Sequence, residues 1–202
     1  MIEGWHGLFG TFTGVVVITV AVLPLAMLAV WALALRRRAM GTAPALAFRM
    51  SLAEVGIVYG TVPWVWVIML PGGRGDSVPA RVNLVPLRDL FEILADEPTT
   101  AVGQIGGNLL VFAALGLFVP LRFAAMASVP RILALAAGCS MLVESAQYVL
   151  RLDRVTSLDD VLLNAAGAGL AALVSRRWWR GTAEALSADR AGAEEPAATA
   201  VR

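Results

Sequence analysis

Lysine is absent from this chain, and histidine and cysteine occur once each, as His6 and Cys139. A single cysteine excludes an internal disulfide. Cys139 also lies in an apolar run with no histidine near it, which fits a small packing residue better than a nucleophile. One histidine and one cysteine cannot assemble a zinc-type centre. Only a carboxylate set for a hard cation stays open, and no pattern calls for a metal or cofactor. Charge is scarce too. Charged residues make up 15% of the chain and the net charge is +1, against about 25% charged in a soluble domain. The basic residues, all arginine, are scattered along loops, so nucleic acid is not an expected partner.

Hydrocarbon takes the place of charge. Of the 202 residues 58% are hydrophobic, and the mean hydropathy is +0.75. Crossing a bilayer core takes roughly 20 apolar residues, and five stretches approach that length: Gly10 to Leu35, Ser51 to Leu70, Ile105 to Leu121, Val129 to Leu150 and Asp160 to Ser175. The expected fold is therefore all-α: a polytopic five-helix transmembrane bundle in one domain, residues 1–180, with membrane lipids as its surroundings. The first stretch is too long for a signal peptide, and Glu3 rather than a basic residue precedes it. The arginine, alanine, valine and glycine excess points to a GC-rich bacterial genome.

Arginine placement predicts the orientation. Arg36, Arg37, Arg38 and Arg49 follow span one, Arg122 and Arg131 separate spans three and four, and Arg176, Arg177 and Arg180 follow span five. On the other side Arg74, Arg81, Arg88, Arg151 and Arg154 are mixed with acids. The positive-inside rule then puts the N-terminus outside the cell and the C-terminus in the cytoplasm. Trp178 and Trp179 fit an aromatic anchor at the inner interface. Between spans two and three, Leu87, Leu90, Phe91 and Leu94 recur at helical spacing among Arg88, Asp89, Glu92 and Asp96. Pro86 to Glu97 is thus expected as a short extracellular amphipathic helix on the membrane surface, stopped by Pro98. The tail 181–202, rich in alanine and charge without apolar periodicity, is expected to be a disordered cytoplasmic segment.

Polar residues inside apolar spans cost free energy unless they are paired or useful. At 100° per residue Ser140, Glu144, Gln147, Tyr148 and Arg151 share one face of span four. Glu144 sits about 9 Å from the end of that span. Asp160 and Asn164 share a face of span five with Gly167 and Ala171, whose small side chains permit close helix approach. Ser157 and Asp160 have the spacing of a capping box, with aspartate in place of glutamate. Gln104 and Asn108 stand at the start of span three, and Asn83 precedes Pro86. All converge on one membrane side and predict a water-accessible polar pocket there. Several also have plainer readings. Asp159 and Asp160 could cap a helix, Asn108 and Asn164 could bond between helices, and Arg154 could pair with Asp153 or Asp159. Glu54 reads as an interface residue. Glu144 has the weakest plain reading, because a carboxylate at that depth needs a partner.

These residues resemble the VanZ-like family of bacterial membrane proteins. The pieces are Asn83-Leu84-Val85-Pro86, Gly107-Asn108 through Phe112 to Gly116, Glu144 to Gln147, Arg154, and Asp159-Asp160-Val161 through Asn164 to Gly167. They run in the family's order over about 83–171, with one departure, Ala114 where a proline is expected. The resemblance implies a cell-envelope protein of the bacterial plasma membrane, linked to tolerance of glycopeptide antibiotics such as teicoplanin. It carries no established reaction.

Two functions fit. In the first, Asn83, Asn108, Glu144, Gln147, Arg151, Arg154, Asp159, Asp160 and Asn164 bind a polar envelope ligand such as a peptidoglycan precursor or a glycopeptide. In the second, an intramembrane enzyme uses Glu144 as base, Asp160 as acid and Arg154 to stabilise developing charge. No nucleophile stands out, so the sequence leaves catalysis undecided.

Overall fold

The computed structural model describes residues 10–71, 82–83, 85–95, 98–152 and 156–199. His6, Arg74, Arg81 and Arg154 lie outside them. In chain order come α1 (Phe12–Ala39), α2 (Pro44–Ile68), β1 (Val82–Asn83), α3 (Arg88–Ala95), α4 (Pro98–Val111), α5 (Ala113–Arg122), α6 (Val129–Val149), β2 (Thr156–Ser157) and α7 (Leu158–Thr199), with a 3₁₀ turn at Ala124–Met126 between α5 and α6. Among the described residues five segments are long and apolar enough to cross a membrane: Phe12–Ala39, Pro44–Ile68, Ala101–Arg122, Val129–Val149 and Leu158–Trp179. The chain is a polytopic helical membrane protein.

Local chemistry sets the helix ends. The Thr11 side chain accepts the Gly14 amide at 3.1 Å and opens α1. Gly41, at φ 94°, turns the chain into α2, which Pro44 begins. Helix α2 thus starts seven residues before the expected Ser51. Helix α3 reaches Ala95, short of the expected Glu97, which lies outside the described residues, and Pro98 opens α4, because a first-turn proline gives up an amide that has no partner there. The third span is broken. At Phe112 (φ −115°, ψ 15°) the helix halts between α4 and α5, and Ala114 sits in the first turn after the break. Helix α6 closes on Arg151 at φ 51°, with the Arg151 amide donating to Tyr148 O and the Leu152 amide to Gln147 O. The last helix continues to Thr199, where composition had suggested disorder from residue 181. The alanine that deprives this stretch of a core is also the best helix former.

The core gathers where α5, α6 and α7 meet, around Phe112, Leu115, Ile132, Ala136, Ala168 and Ala172. Glycine makes two of these contacts possible. A Cβ on Gly116 would lie 1.9 Å from Ala168 O, and one on Gly167 would lie 1.9 Å from Leu109 O. The span within α7 is 44% buried against 11% for α1, so α7 is the central helix and α1 a peripheral one packed on α2. Outward-facing Leu142, Val149, Val20 and Trp31 are more than half exposed, as suits side chains solvated by lipid. Trp179 departs from its expected place. It is buried in the core and donates Nε1 to Ser175 Oγ at 2.9 Å, while Trp178 is exposed and carries Arg177 over its ring.

The two ends of the bundle differ in chemistry. One end holds Arg36, Arg37, Arg38, Arg122 and Arg131 at helix termini. There Glu54 of α2 accepts Arg37 Nη2 from α1 and Arg122 Nε from α5, both at 2.5 Å, and Arg37 Nη1 also donates to Ser51 Oγ. One carboxylate ties three helices together. The opposite end carries β1, β2, α3 and the polar residues singled out above.

Candidate functional site

The frame of the site is a two-residue parallel pairing, Val82 with Thr156 and Asn83 with Ser157. It pins the segment before α3 to the segment before α7. Ser157 then caps α7, its Oγ accepting the Asp159 amide at 3.2 Å. The second half of the expected capping box is missing. Asp160 points elsewhere, and Glu144 of α6 takes the Ser157 amide instead, through Oε2 at 3.3 Å. A capping-box glutamate reaches back to its own cap; aspartate is one methylene shorter, and here a neighbouring helix supplies the carboxylate.

Asp159 does not serve its own helix either. Its Oδ1 accepts the Leu87 amide at 2.5 Å and its Oδ2 the Leu90 amide at 3.0 Å. These amides open α3, so a carboxylate on α7 caps α3 across the site. Asp89 completes the attachment. It accepts Asn83 Nδ2 and Ser157 Oγ, each at 2.5 Å, while Asn83 Oδ1 takes the Val85 amide at 3.1 Å.

Beneath this layer Asn108 of α4 donates Nδ2 to Asp160 Oδ1 at 2.5 Å. Asn164 donates Nδ2 to Ser140 Oγ at 2.8 Å, and its Oδ1 is a buried acceptor with no partner among the described residues. Gln147 reaches across to α2 and donates to Ile68 O at 2.7 Å.

The fold therefore brings together Asn83, Asn108, Glu144, Asp159, Asp160 and Asn164, with Gln147 at the edge. Glu144, Gln147, Asp159 and Asn164 are all less than 9% exposed. Most of these groups are hydrogen-bonded within the protein. Tyr148 and Arg151 were expected on the same face as Glu144, yet both are exposed. The helical rule fails for Arg151 because α6 ends at Val149 and Arg151 is left-handed. Gln104 is exposed, and Arg154 lies outside the described residues. Asp89 and Ser157 are the network members that sequence reasoning did not assign to the site. Among the described residues no group of three His, Cys, Asp or Glu side chains could hold a metal ion.

Chemically the end is rich in acceptors. Four carboxylates (Asp89, Glu144, Asp159 and Asp160) stand among amide and hydroxyl donors at the mouth of the α6–α7 pair. Such a surface suits ligand hydroxyl, amide or ammonium groups. No curated protein and no solved structure gives a significant match to the chain. A family model does match residues 57–180, from the middle of α2 through the span within α7, and it takes in every residue of this network. The chain belongs to the VanZ/LLP1 family.

Proposed function

We propose that the protein is a non-enzymatic component of the bacterial cell envelope that binds a polar ligand at the α3-covered end of its bundle. The network faces the outside of the plasma membrane, with the N-terminus outside and the C-terminus in the cytoplasm. The arginine-rich end supports that orientation. The ligand carries hydroxyl, amide or ammonium groups, as a peptidoglycan-precursor headgroup or a glycopeptide does. Its binding underlies a contribution to glycopeptide (teicoplanin) tolerance. One observation carries this reading: Asp89 and Asp159 hold an amphipathic helix over a buried set of carboxylates and amides that includes the unpartnered Asn164 Oδ1.

The burial of Glu144, 7% exposed, favours a second reading in which Glu144 and Asp160 are acid-base groups acting on a lipid-linked or cell-surface substrate. One experiment addresses both. Glu144→Gln and Asp160→Asn, each at normal membrane abundance, are expected to abolish glycopeptide tolerance while the wall-precursor pool seen by mass spectrometry stays unchanged. A precursor whose mass depends on the protein would favour the enzyme. Tolerance that survives both substitutions would remove the site.

A further inference from the structure

Helices α1 and α2 are joined by the Tyr59–Thr19 and Arg37–Glu54 contacts, yet along one side of the pair they leave a recess. Between them runs an open groove of about 620 Å³, lined by side chains such as Ile18, Val22 and Ala29 of α1 and Val58 and Val62 of α2. Pro63, inside α2, also lines it.

The wall of the groove is hydrocarbon. Its few polar groups are already engaged. Tyr59 donates its hydroxyl to Thr19 O at 2.7 Å, Thr19 Oγ1 donates to Val15 O at 2.7 Å, and Glu54 is held by Arg37 and Arg122. A polar solute would find no free partner on this wall. A hydrocarbon chain needs none.

The α1 stripe lining the groove passes through Ile18, Val22, Ala29 and Leu33. Over those positions α1 rises about 22 Å, more than the roughly 15 Å of hydrocarbon in one leaflet. Three residues past Leu33, on the same stripe, stands Arg36. Its side chain is exposed and makes no ion pair among the described residues. With Arg37 and Arg122 against the single Glu54, that end carries more positive than negative charge. An acyl-length trough ending at an unneutralised guanidinium matches a molecule with a long apolar chain and an anionic head.

We propose that the α1–α2 groove binds one anionic phospholipid, with an acyl chain lying along the trough and its phosphate on Arg36. The Arg36 end of this site lies at the opposite end of the bundle from the polar network, and the site does not depend on what that network binds.

The test uses the full chain in detergent with dioleoyl phosphatidylglycerol or dioleoyl phosphatidylcholine at equal mole fraction, read by native mass spectrometry and thermal unfolding. Wild type is expected to keep one phosphatidylglycerol and to unfold at a higher temperature with it than with phosphatidylcholine. Arg36→Gln should cut the preference for the anionic lipid by about fivefold, and Arg36→Lys should largely retain it. Ala29→Trp, which fills the trough, should lose both lipids. Because Arg36 is exposed, its variants leave the packing intact, and they keep the test decisive if Ala29→Trp fails to fold. Equal retention of the two lipids by wild type, or undiminished preference in Arg36→Gln, would overturn the proposal. So would equal stabilisation by deacylated glycerophosphoglycerol, or a dimer whose formation alone protects the groove.

Discussion

The Asp159 carboxylate holds the Leu87 amide at 2.5 Å across 72 positions of sequence. Leu87 needs that hold. Among the described residues it is one of two non-glycine residues at positive φ, 65°, a conformation that costs an L-residue roughly 1–2 kcal/mol. Its helix, α3, exposes Phe91 and Leu94 and contains no buried residue. The attachment of α3 to the bundle thus leans on hydrogen bonds more than on packing.

Removing the carboxylate should therefore release α3 while leaving the spans intact. Asp159→Ala strips two amides of their acceptor, at a cost of about 1–3 kcal/mol for each that stays buried. Asp159→Asn should fall between, since it keeps one acceptor oxygen and turns an N–H toward the other amide. Hydrogen exchange in nanodiscs is expected to show faster exchange at 87–95 in the order Ala, Asn, wild type, with α5–α7 unchanged. Uniform loss of protection in all helices would mean that Asp159 supports the whole bundle.

Ser157 should reverse an ordinary preference. Aspartate and serine are comparably good N-caps, so Ser157→Asp would be nearly neutral at an isolated helix. Here the Ser157 hydroxyl donates to Asp89 while Glu144 contacts the Ser157 amide. A third carboxylate at that point meets two others and loses the donor that Asp89 requires. Ser157→Asp is expected to destabilise the protein more than Ser157→Ala, whose cost is about 1 kcal/mol for the cap plus the loss to Asp89. Thermal unfolding in one detergent gives the ranking, and a more stable aspartate variant would contradict the network.

The sequence makes the spans legible because bilayer thickness sets their length, and it makes the polar convergence legible because charge in hydrocarbon is costly. It does not disclose how those groups pair. Asp89 lies on the polar stripe of a short amphipathic helix, where an acid ordinarily meets water. Only the pairing of Asn83 with Ser157, distant in sequence, turns it inward. Two adjacent tryptophans likewise read as an interface belt, yet helix rotation sends Trp179 into the core and leaves Trp178 outside. The Glu54 clamp had a visible signal, one acid in an apolar span near two arginine clusters, but its partners come from two different helices.

Glycine separates packing from function within the motif region. Gly167→Ala would drive a Cβ to 1.9 Å from Leu109 O, a backbone atom that cannot swing aside. Misfolding and low membrane abundance are expected. Gly107, beside Asn108, meets nothing within 4 Å of an added Cβ. Gly107→Ala should leave the protein folded and stabilise α4 by up to about 1 kcal/mol. If it removes antibiotic tolerance at full abundance, the α4 surface beside Asn108 contacts ligand. Retained tolerance would confine the site to the α6–α7 side.

Arg151 offers the sharpest separation of stability from activity. It holds the left-handed position that ends α6, φ 51°, where glycine is the usual occupant, and its side chain is exposed with no bond among the described residues. Backbone strain alone predicts that Arg151→Gly raises stability by about 1 kcal/mol. Among the described residues no contact accounts for an arginine there, and the proposed ligand would supply one. Arg151→Gly is therefore expected to unfold at a higher temperature and to lose glycopeptide tolerance. Arg151→Asn, which also tolerates the left-handed region, should lose tolerance as well, since it too lacks the guanidinium. If Arg151→Gly gains stability and keeps full tolerance, Arg151 takes no part in binding. The ligand would then have to be held by the carboxylate and amide network alone.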